Sequence, residues 1–333
     1  MLKILLTRQF LNDDIVYIEN ELRKRIGDNF QVLIPDSFSE DRLRIHAEEA
    51  NVFLGPHVTA GLIETAKNLR LIQVPWTGMD TFPFAAIRGC SIPLCNSHSN
   101  SAHVAEFAIG LLFSLIKKVP FHDRKMRKGN WNRSSSPLSL SSPLLFNKAV
   151  GIIGYGAIGR KIASYLLPYE CRIHILCREI TMLKEETIQY FTQREISSFL
   201  AKTEILFLSV PLTQATKNLL DAQTFAFIRD GCFIVNVARA AILDECALYD
   251  ALVQGKIGGY ASDVWWNAPE RGGSEAFPSK TLPFEKLDNV VFSPHRAGFA
   301  ESGFPHLDDA IENIASLYHG RPLKNQILPT AEY

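Results

Sequence analysis

Three features of the sequence predict an α/β protein of two doubly wound parallel-sheet domains. Brief runs rich in Leu, Ile and Val alternate with longer amphipathic stretches, and they do so in two separate series. A glycine-rich turn, Gly154 to Gly159, stands just behind the first strand of the second series. The chain of 333 residues is also long for one compact core, which suggests about two domains.

In the first series, strands are expected at Lys3–Leu6, Gln31–Ile34, Val52–Leu54 and Leu71–Val74, apolar as strands are when both faces are covered. Asp13–Ile26 reads as a crossover helix. From Ser101 to about Val119 runs a helix that is apolar over most of its circumference, so it must be buried in the core or in a subunit contact. The basic run Lys117–Lys128 reads as a solvated helix face rather than a site for an acidic ligand, and Ser134–Pro143 as a surface loop. The second series places strands at Ala149–Ile153, Ile173–Leu176, Ile205–Val210, Phe233–Val237, Gly259–Asp263 and Val290–Phe292, enough for a complete doubly wound sheet. A last helix around Ile311–Leu317 and a Pro-containing tail are expected to cross back, making the first domain discontinuous. The expected boundaries are 1–99 with 299–333 for one domain and 100–298 for the other.

Composition removes several classes of function. Lys plus Arg and Asp plus Glu both number 35, so no global field draws nucleic acid or an anionic membrane. No apolar run approaches the roughly 20 residues that cross a bilayer. The apolar stretch Ile4–Leu6 is too short for a signal peptide core, so export is not expected. The cysteines Cys90, Cys95, Cys171, Cys177, Cys232 and Cys246 lack the C-x2-C spacing of a zinc site and the density of a disulfide scaffold. Free thiols, a reducing cytoplasmic setting and no bound metal are the expectation.

The turn Gly154-Tyr155-Gly156-Ala157-Ile158-Gly159 is a G-x-G-x-x-G between a strand and a helix, the context in which it binds a dinucleotide. Gly154 permits the tight turn, Gly156 lets backbone approach a pyrophosphate, and Gly159 lets helix and strand pack closely. The diphosphate then faces the helix N-terminus, where unpaired N–H groups favour negative charge. At the end of the next strand, where NAD proteins usually carry an acid, stands Cys177, followed by Arg178. Arg178 suits a 2′-phosphate and tilts the reading toward NADP over NAD. Glu179 could instead turn to the ribose or repel that phosphate.

From here the chain resembles the D-isomer-specific 2-hydroxyacid dehydrogenases, the family of phosphoglycerate, glycerate and hydroxypyruvate dehydrogenases. The resemblance spans almost the whole length. It is carried in order by Gln73–Asp80, Val104–Glu106, the glycine turn, Val210–Thr213, Val235–Arg239, Gly259–Val264 and Ser293–Gly298. It implies a flavodoxin-like substrate domain, a Rossmann cofactor domain, and hydride transfer between a nicotinamide and a small 2-oxo or 2-hydroxy acid in the cleft between them. Arg239 matches the arginine that holds and polarises the substrate, and His295 the acid/base on its oxygen. Trp76, Thr77 and Gly78 match the loop whose N–H groups hold the carboxylate, and His98 could line the same cleft. Val210, Pro211, Thr213, Val237, Ala238 and Asp263 fall at cofactor positions, Asp263 at the nicotinamide carboxamide. A homodimer built on the long helix is also implied.

One position departs from the pattern. The family's glutamate partner of the histidine would stand just before Pro269, where this chain has Ala268. Alanine can neither orient nor charge-stabilise an imidazole. Asn267 turned inward is the first-ranked repair, then Glu270 or Glu275 from the insert Glu270–Leu282, or no replacement. The insert itself reads as a loop near the cleft mouth that shapes substrate choice, with Trp76, Trp265, Trp266 and Phe299 setting pocket size. Ala268 keeps a second reading open, a non-catalytic dinucleotide-responsive binding protein resembling the corepressors of this fold.

Overall fold

The computed structural model describes residues 1–131, 142–178, 188–269, 273, 275–301 and 304–328. The chain divides into two compact units, Met1–Asn100 with Ala300–Tyr333, and Ser101–Phe299. The expected loop 134–143, apart from its last two residues, the alternative at Glu179, and Glu270 lie outside the described residues.

The first unit is built on strands β1 (Leu2–Leu6), β2 (Phe30–Leu33), β3 (Val52–Leu54), β4 (Leu71–Gln73), β5 (Leu94–Cys95) and β13 (Gln326–Ile327), in the order β13-β5-β4-β3-β1-β2. All neighbours are parallel except β13, which closes the edge antiparallel to β5. Helix α1 (Asn12–Ile26) forms because Ile18, Leu22 and Ile26 fall on one buried face. Its first turn carries Asp13 and Asp14 and its last Arg23, Lys24 and Arg25, matching the helix dipole. Gly27, at φ 63°, ends it in a conformation that disfavours a side chain. Leu2, Ile4 and Leu6 face one core with α1 and α10 (Pro305–Tyr318), while Leu5, Phe53 and Ile72 face the other. The final helix starts earlier than its apolar stretch suggested, because Pro305 sits in its first turn, where a missing N–H costs nothing. Strands β5 and β13 escape the sequence pattern, since two residues carry no periodicity.

The second unit contains β6 (Ala149–Ile153), β7 (Arg172–Leu176), β8 (Ile188–Phe191), β9 (Ile205–Leu208), β10 (Cys232–Asn236), β11 (Ile257–Ser262) and β12 (Val290–Phe292). They form a parallel sheet ordered β12-β11-β10-β9-β6-β7-β8. The order reverses between β6 and β9, the switch point at which open α/β sheets place ligands. Edge strand β8 is a seventh, beyond the six expected, with only Ile188 and Phe191 buried. Helix α4 (Ser101–Ile116) is a core element. Val104, Ala108, Leu111, Leu112 and Leu115 pack with Ile162 and Ala163 of α6 (Ala157–Leu166) and with Ile152, Phe207 and Ala261 of the sheet. Glu106 and Gly110 remain exposed. Among the described residues no helix is long and apolar enough to cross a membrane.

At the opposite, N-terminal end of this sheet Glu204 binds three elements together. It accepts the Ala149 N–H at 3.0 Å and Lys148 Nζ at 2.9 Å, with Arg172 and Arg229 each 3.7 Å away. Burial, the largest influence, raises its pKa. The Ala149 N–H, Lys148 and Arg229 together outweigh it and hold the carboxyl below the ordinary value of 4.5. A lowered pKa means the contribution is complete above the unfolded-state titration and lost as pH falls through the folded value. Glu204→Gln is therefore expected to cost about 1–2 kcal/mol at pH 7, mostly from the two short bonds, because the exposed arginines add little. The gap from wild type in urea melts should begin to narrow as pH falls below about 4.5 and go on shrinking as the folded carboxyl is protonated. A gap that stays constant as pH falls from 7 until the protein unfolds would contradict this account.

Candidate active site

The glycine turn fits a dinucleotide by the space each residue leaves. Gly154 has φ 96°, and a Cβ there would stand 2.6 Å from Val210 and 2.8 Å from the Ser209 carbonyl. A Cβ on Gly159 would stand 2.1 Å from the Gly154 carbonyl, so α6 lies against the turn only because that residue is glycine. Gly156 differs, for its Cβ would meet nothing within 4 Å, leaving open the volume in front of the helix N-terminus. Ser209 ties the turn to the end of β9 by donating to the Gly154 carbonyl at 3.0 Å. Gly156→Val should therefore leave stability within about 0.5 kcal/mol of wild type yet weaken dinucleotide binding at least about tenfold. Gly159→Ala should cost about 1–3 kcal/mol of stability. Thermal melts and cofactor titration separate the two effects.

Tyr155, Ala157 and Ile158 complete the turn at intermediate exposure. At the end of β7, Cys177 packs against the unit's core and its N–H donates to the Phe191 carbonyl of β8 at 3.1 Å, while Arg178 is exposed. After β9, Val210 backs Gly154 and Thr213 is fixed by reciprocal bonds with Thr216: Thr213 N–H to Thr216 Oγ1 at 2.8 Å, Thr216 N–H to Thr213 Oγ1 at 3.2 Å. Thr216 Oγ1 in turn donates to the Pro211 carbonyl at 2.7 Å.

Arg239 follows β10 on a turn built by Asn236. The buried Asn236 side chain accepts the Ala238 N–H at 2.9 Å and donates to the Arg239 carbonyl at 3.0 Å. Its amide nitrogen also donates to Tyr260 Oη at 3.2 Å, Tyr260 donates to Ser262 Oγ at 3.0 Å, and Ser262 donates to the Val264 carbonyl at 2.7 Å. Burial pushes the Tyr260 phenol up to about 12, although the bonds to Ser262 and Asn236 oppose it, so it stays a neutral link. Val237 and Ala238 are buried beside this turn, and Arg239 Nη1 donates to the Ala238 carbonyl at 2.8 Å.

His295 follows β12 with φ 59°, an uncommon conformation for which His is one of the more tolerant side chains, and it is exposed. Asp263 fixes its loop, a part the sequence does not announce for that residue. The carboxylate, 3% exposed, accepts the Ser293 hydroxyl and the N–H groups of Arg296 at 2.8 Å and Ala297 at 2.9 Å. With these three bonds Asp263 acts as the clamp behind His295, and a carboxylate's two oxygens keep room for one further donor. Trp265 adds to the clamp, donating to the Ser293 carbonyl at 3.0 Å and stacking on Phe292. Trp266 stacks on the buried Phe284, so these two indoles pack the second unit's core.

Asn267, the first-ranked stand-in for the missing glutamate, is turned elsewhere. Its side-chain amide donates to the Phe277 carbonyl at 2.9 Å and its N–H to the Pro278 carbonyl at 3.1 Å, tying the segment ahead of the insert to residues 277 and 278 within it. Ala268, Glu275 and Phe299 are exposed, and the Arg296 guanidinium lies 4.2 Å over the Phe299 ring.

In the first unit, the segment Trp76–Gly78 follows β4. Thr77 Oγ1 donates to the Ser97 carbonyl at 2.8 Å, Asn96 donates to the Thr77 carbonyl at 2.7 Å, and Ser97 N–H donates to the Trp76 carbonyl at 3.2 Å. These bonds leave the N–H groups of Thr77 and Gly78 without a partner among the described residues. The Trp76 ring carries the Arg8 guanidinium 4.9 Å above it. His98 is anchored through its N–H to Asp309 at 2.7 Å; burial lowers its pKa while Asp309 opposes, so it is disfavoured as a charged group.

Asn236, Tyr260, Ser262 and Ser293 carry no role in the sequence reading, yet they shape the two loops. The signal was present for Asn236, a polar residue closing a buried apolar strand, where an unsatisfied amide would be costly.

Residues 109–297 match the family described as D-isomer specific 2-hydroxyacid dehydrogenase, NAD binding domain. A D-3-phosphoglycerate dehydrogenase of Archaeoglobus fulgidus is 31% identical over 279 residues, which cover 83% of this chain and 50% of that protein. The chain thus aligns with only half the length of that relative. The glyoxylate/hydroxypyruvate reductase HPR3 of Arabidopsis thaliana is 29% identical over 307 residues, 90% of each chain. A solved Pyrococcus horikoshii OT3 protein superposes with a TM-score of 0.79 at 25% identity, over 98% of this chain and 95% of that one. The chain belongs to the D-isomer specific 2-hydroxyacid dehydrogenase family.

Proposed function

We propose that the protein is an oxidoreductase that interconverts a small 2-oxo acid and its 2-hydroxy acid, with NADP preferred over NAD. The observation that carries the reading is a single rim. The glycine turn, Cys177 and Arg178, Val210–Thr213, Arg239, Asp263 and His295 all follow the C-terminal ends of strands in one parallel sheet. Residues 100–298 are assigned to the cofactor, with 1–99 and 299–333 assigned to the substrate.

The nicotinamide, when bound, supplies or accepts the hydride. Arg239 binds the carboxylate and carbonyl oxygens through its planar fork and draws electron density toward the oxygen. His295 gives that oxygen a proton in reduction and takes it back in oxidation. Thr77 and Gly78 are assigned to the carboxylate because two adjacent unpartnered N–H groups form an anion nest. Arg178 is assigned to the 2′-phosphate, and a homodimer through α4 is part of the proposal.

The exposed Ala268 and the outward engagement of Asn267 favour the second reading, a dinucleotide-responsive binding protein without turnover. One experiment decides between them. Full-length protein is titrated with NADPH and NADH while nicotinamide fluorescence is followed, then challenged with glyoxylate, hydroxypyruvate and pyruvate. Consumption of cofactor supports the enzyme, tight binding without consumption supports the sensor, and absence of binding overturns both.

A further inference from the structure

Arg160 has no part in the family resemblance or in the roles assigned above, yet its surroundings give it one. It follows Gly159 directly, on the first turn of α6, and it is exposed. Its guanidinium lies 4.4 Å over the ring of Tyr155, inside the glycine turn, and Tyr155 meets Tyr190 of β8 edge-on at 5.8 Å between centroids. The aromatic pair therefore braces a cation on the β7–β8 side of the turn. No carboxylate among the described residues pairs with Arg160. Its charge is also felt at the end of β7: burial raises the Cys177 thiol's pKa, and Arg160 pulls against that rise.

We infer that Arg160, held on Tyr155, is a specificity-determining residue that reads a phosphate on the 2′-oxygen of the adenosine ribose, acting with Arg178, which follows Cys177. This rests on the dinucleotide reading above. The end of the second strand is where a doubly wound domain meets that ribose, and an acid there would bond its hydroxyls and repel a phosphate. Cys177 is neutral and packed inward, so no charge at that position opposes one. A guanidinium stacked on an aromatic ring keeps its N–H edges in the ring plane's direction, pre-oriented for a phosphate's oxygens. Stacking costs it none of those donors. A cation on a mobile stem would lose more rotamer freedom on binding, so the tyrosine brace is part of the device. Without the 2′-phosphate, Arg160 has no anion to meet, and the difference appears as a preference for the phosphorylated cofactor.

The test compares NADPH with NADH by fluorescence titration of full-length wild type, Arg160→Gln, Arg178→Gln and Tyr155→Leu. Binding is the readout, so turnover is not needed. Wild type should bind NADPH at least about tenfold more tightly. Arg160→Gln should remove about tenfold of NADPH affinity while NADH changes less than about twofold, and the salt dependence of NADPH binding should flatten. Tyr155→Leu should lose part of the preference with the charge still present. Equal weakening of both cofactors by Arg160→Gln would make the residue a brace of the turn and overturn the inference. Equal wild-type affinities would overturn it too, leaving the dinucleotide reading intact. Binding of neither cofactor would remove the reading itself.

Discussion

Arg239→Ala is expected to lower kcat/KM for a 2-oxo acid by about 10²–10³ or more, the range lost when one pre-organised donor to a developing oxyanion is removed. The effect should exceed that because one side chain is asked to bind the carboxylate and polarise the carbonyl, and both interactions vanish together. The loss should be catalytic rather than structural. The turn presenting Arg239 is held by Asn236, through the Ala238 N–H and the Arg239 carbonyl, and neither bond uses the guanidinium. The fold of the turn is thus kept by bonds that truncation leaves in place, so the melting temperature should stay within a few degrees. Arg239→Lys keeps the charge but not the fork, and should recover only part of the loss. Asn236→Ala should weaken the turn itself, lowering stability and activity together. Steady-state kinetics with NADPH and glyoxylate, beside thermal melts, would check all three; Arg239→Ala within threefold of wild type would end the assignment.

What the sequence makes legible here is what short-range chemistry compels. The three glycines from 154 to 159 answer three local demands, and the space around each one differs in the way those demands require. Arg239 and His295 could be picked out because each follows an apolar strand end within a family pattern. The parts that stayed hidden depend on partners distant in sequence. Asp263 and Ala297 are 34 positions apart, and only the fold makes one the clamp of the other. Asn267 looks equally able to turn either way until the Phe277 carbonyl is brought beside it. Strand β8 buries only two of its four residues and so carries too little apolar pattern to announce itself. Arg160 is a surface cation in sequence and acquires a meaning only from Tyr155 and Tyr190 beneath it.

His295→Asn should reduce kcat by about 10²–10⁴, the usual worth of a positioned proton carrier. Asn is the informative substitution because the backbone at this position has φ 59°, a conformation Asn tolerates, so the loop held by Asp263 should persist. Cofactor affinity should then be nearly unchanged while turnover falls, which is the split expected of a residue that acts on the substrate's oxygen. Ala268→Glu tests the same proton from the opposite side. Reduction needs a charged imidazole, and a carboxylate placed beside it favours the charged form. The variant's reduction rate should therefore hold to higher pH than wild type's, and its oxidation rate should rise only at correspondingly higher pH. If His295→Asn is as active as wild type, the proton comes from elsewhere. If Ala268→Glu leaves both pH limbs in place, the residue at 268 does not reach the histidine, and the missing glutamate is not what sets the proton carrier of this chain.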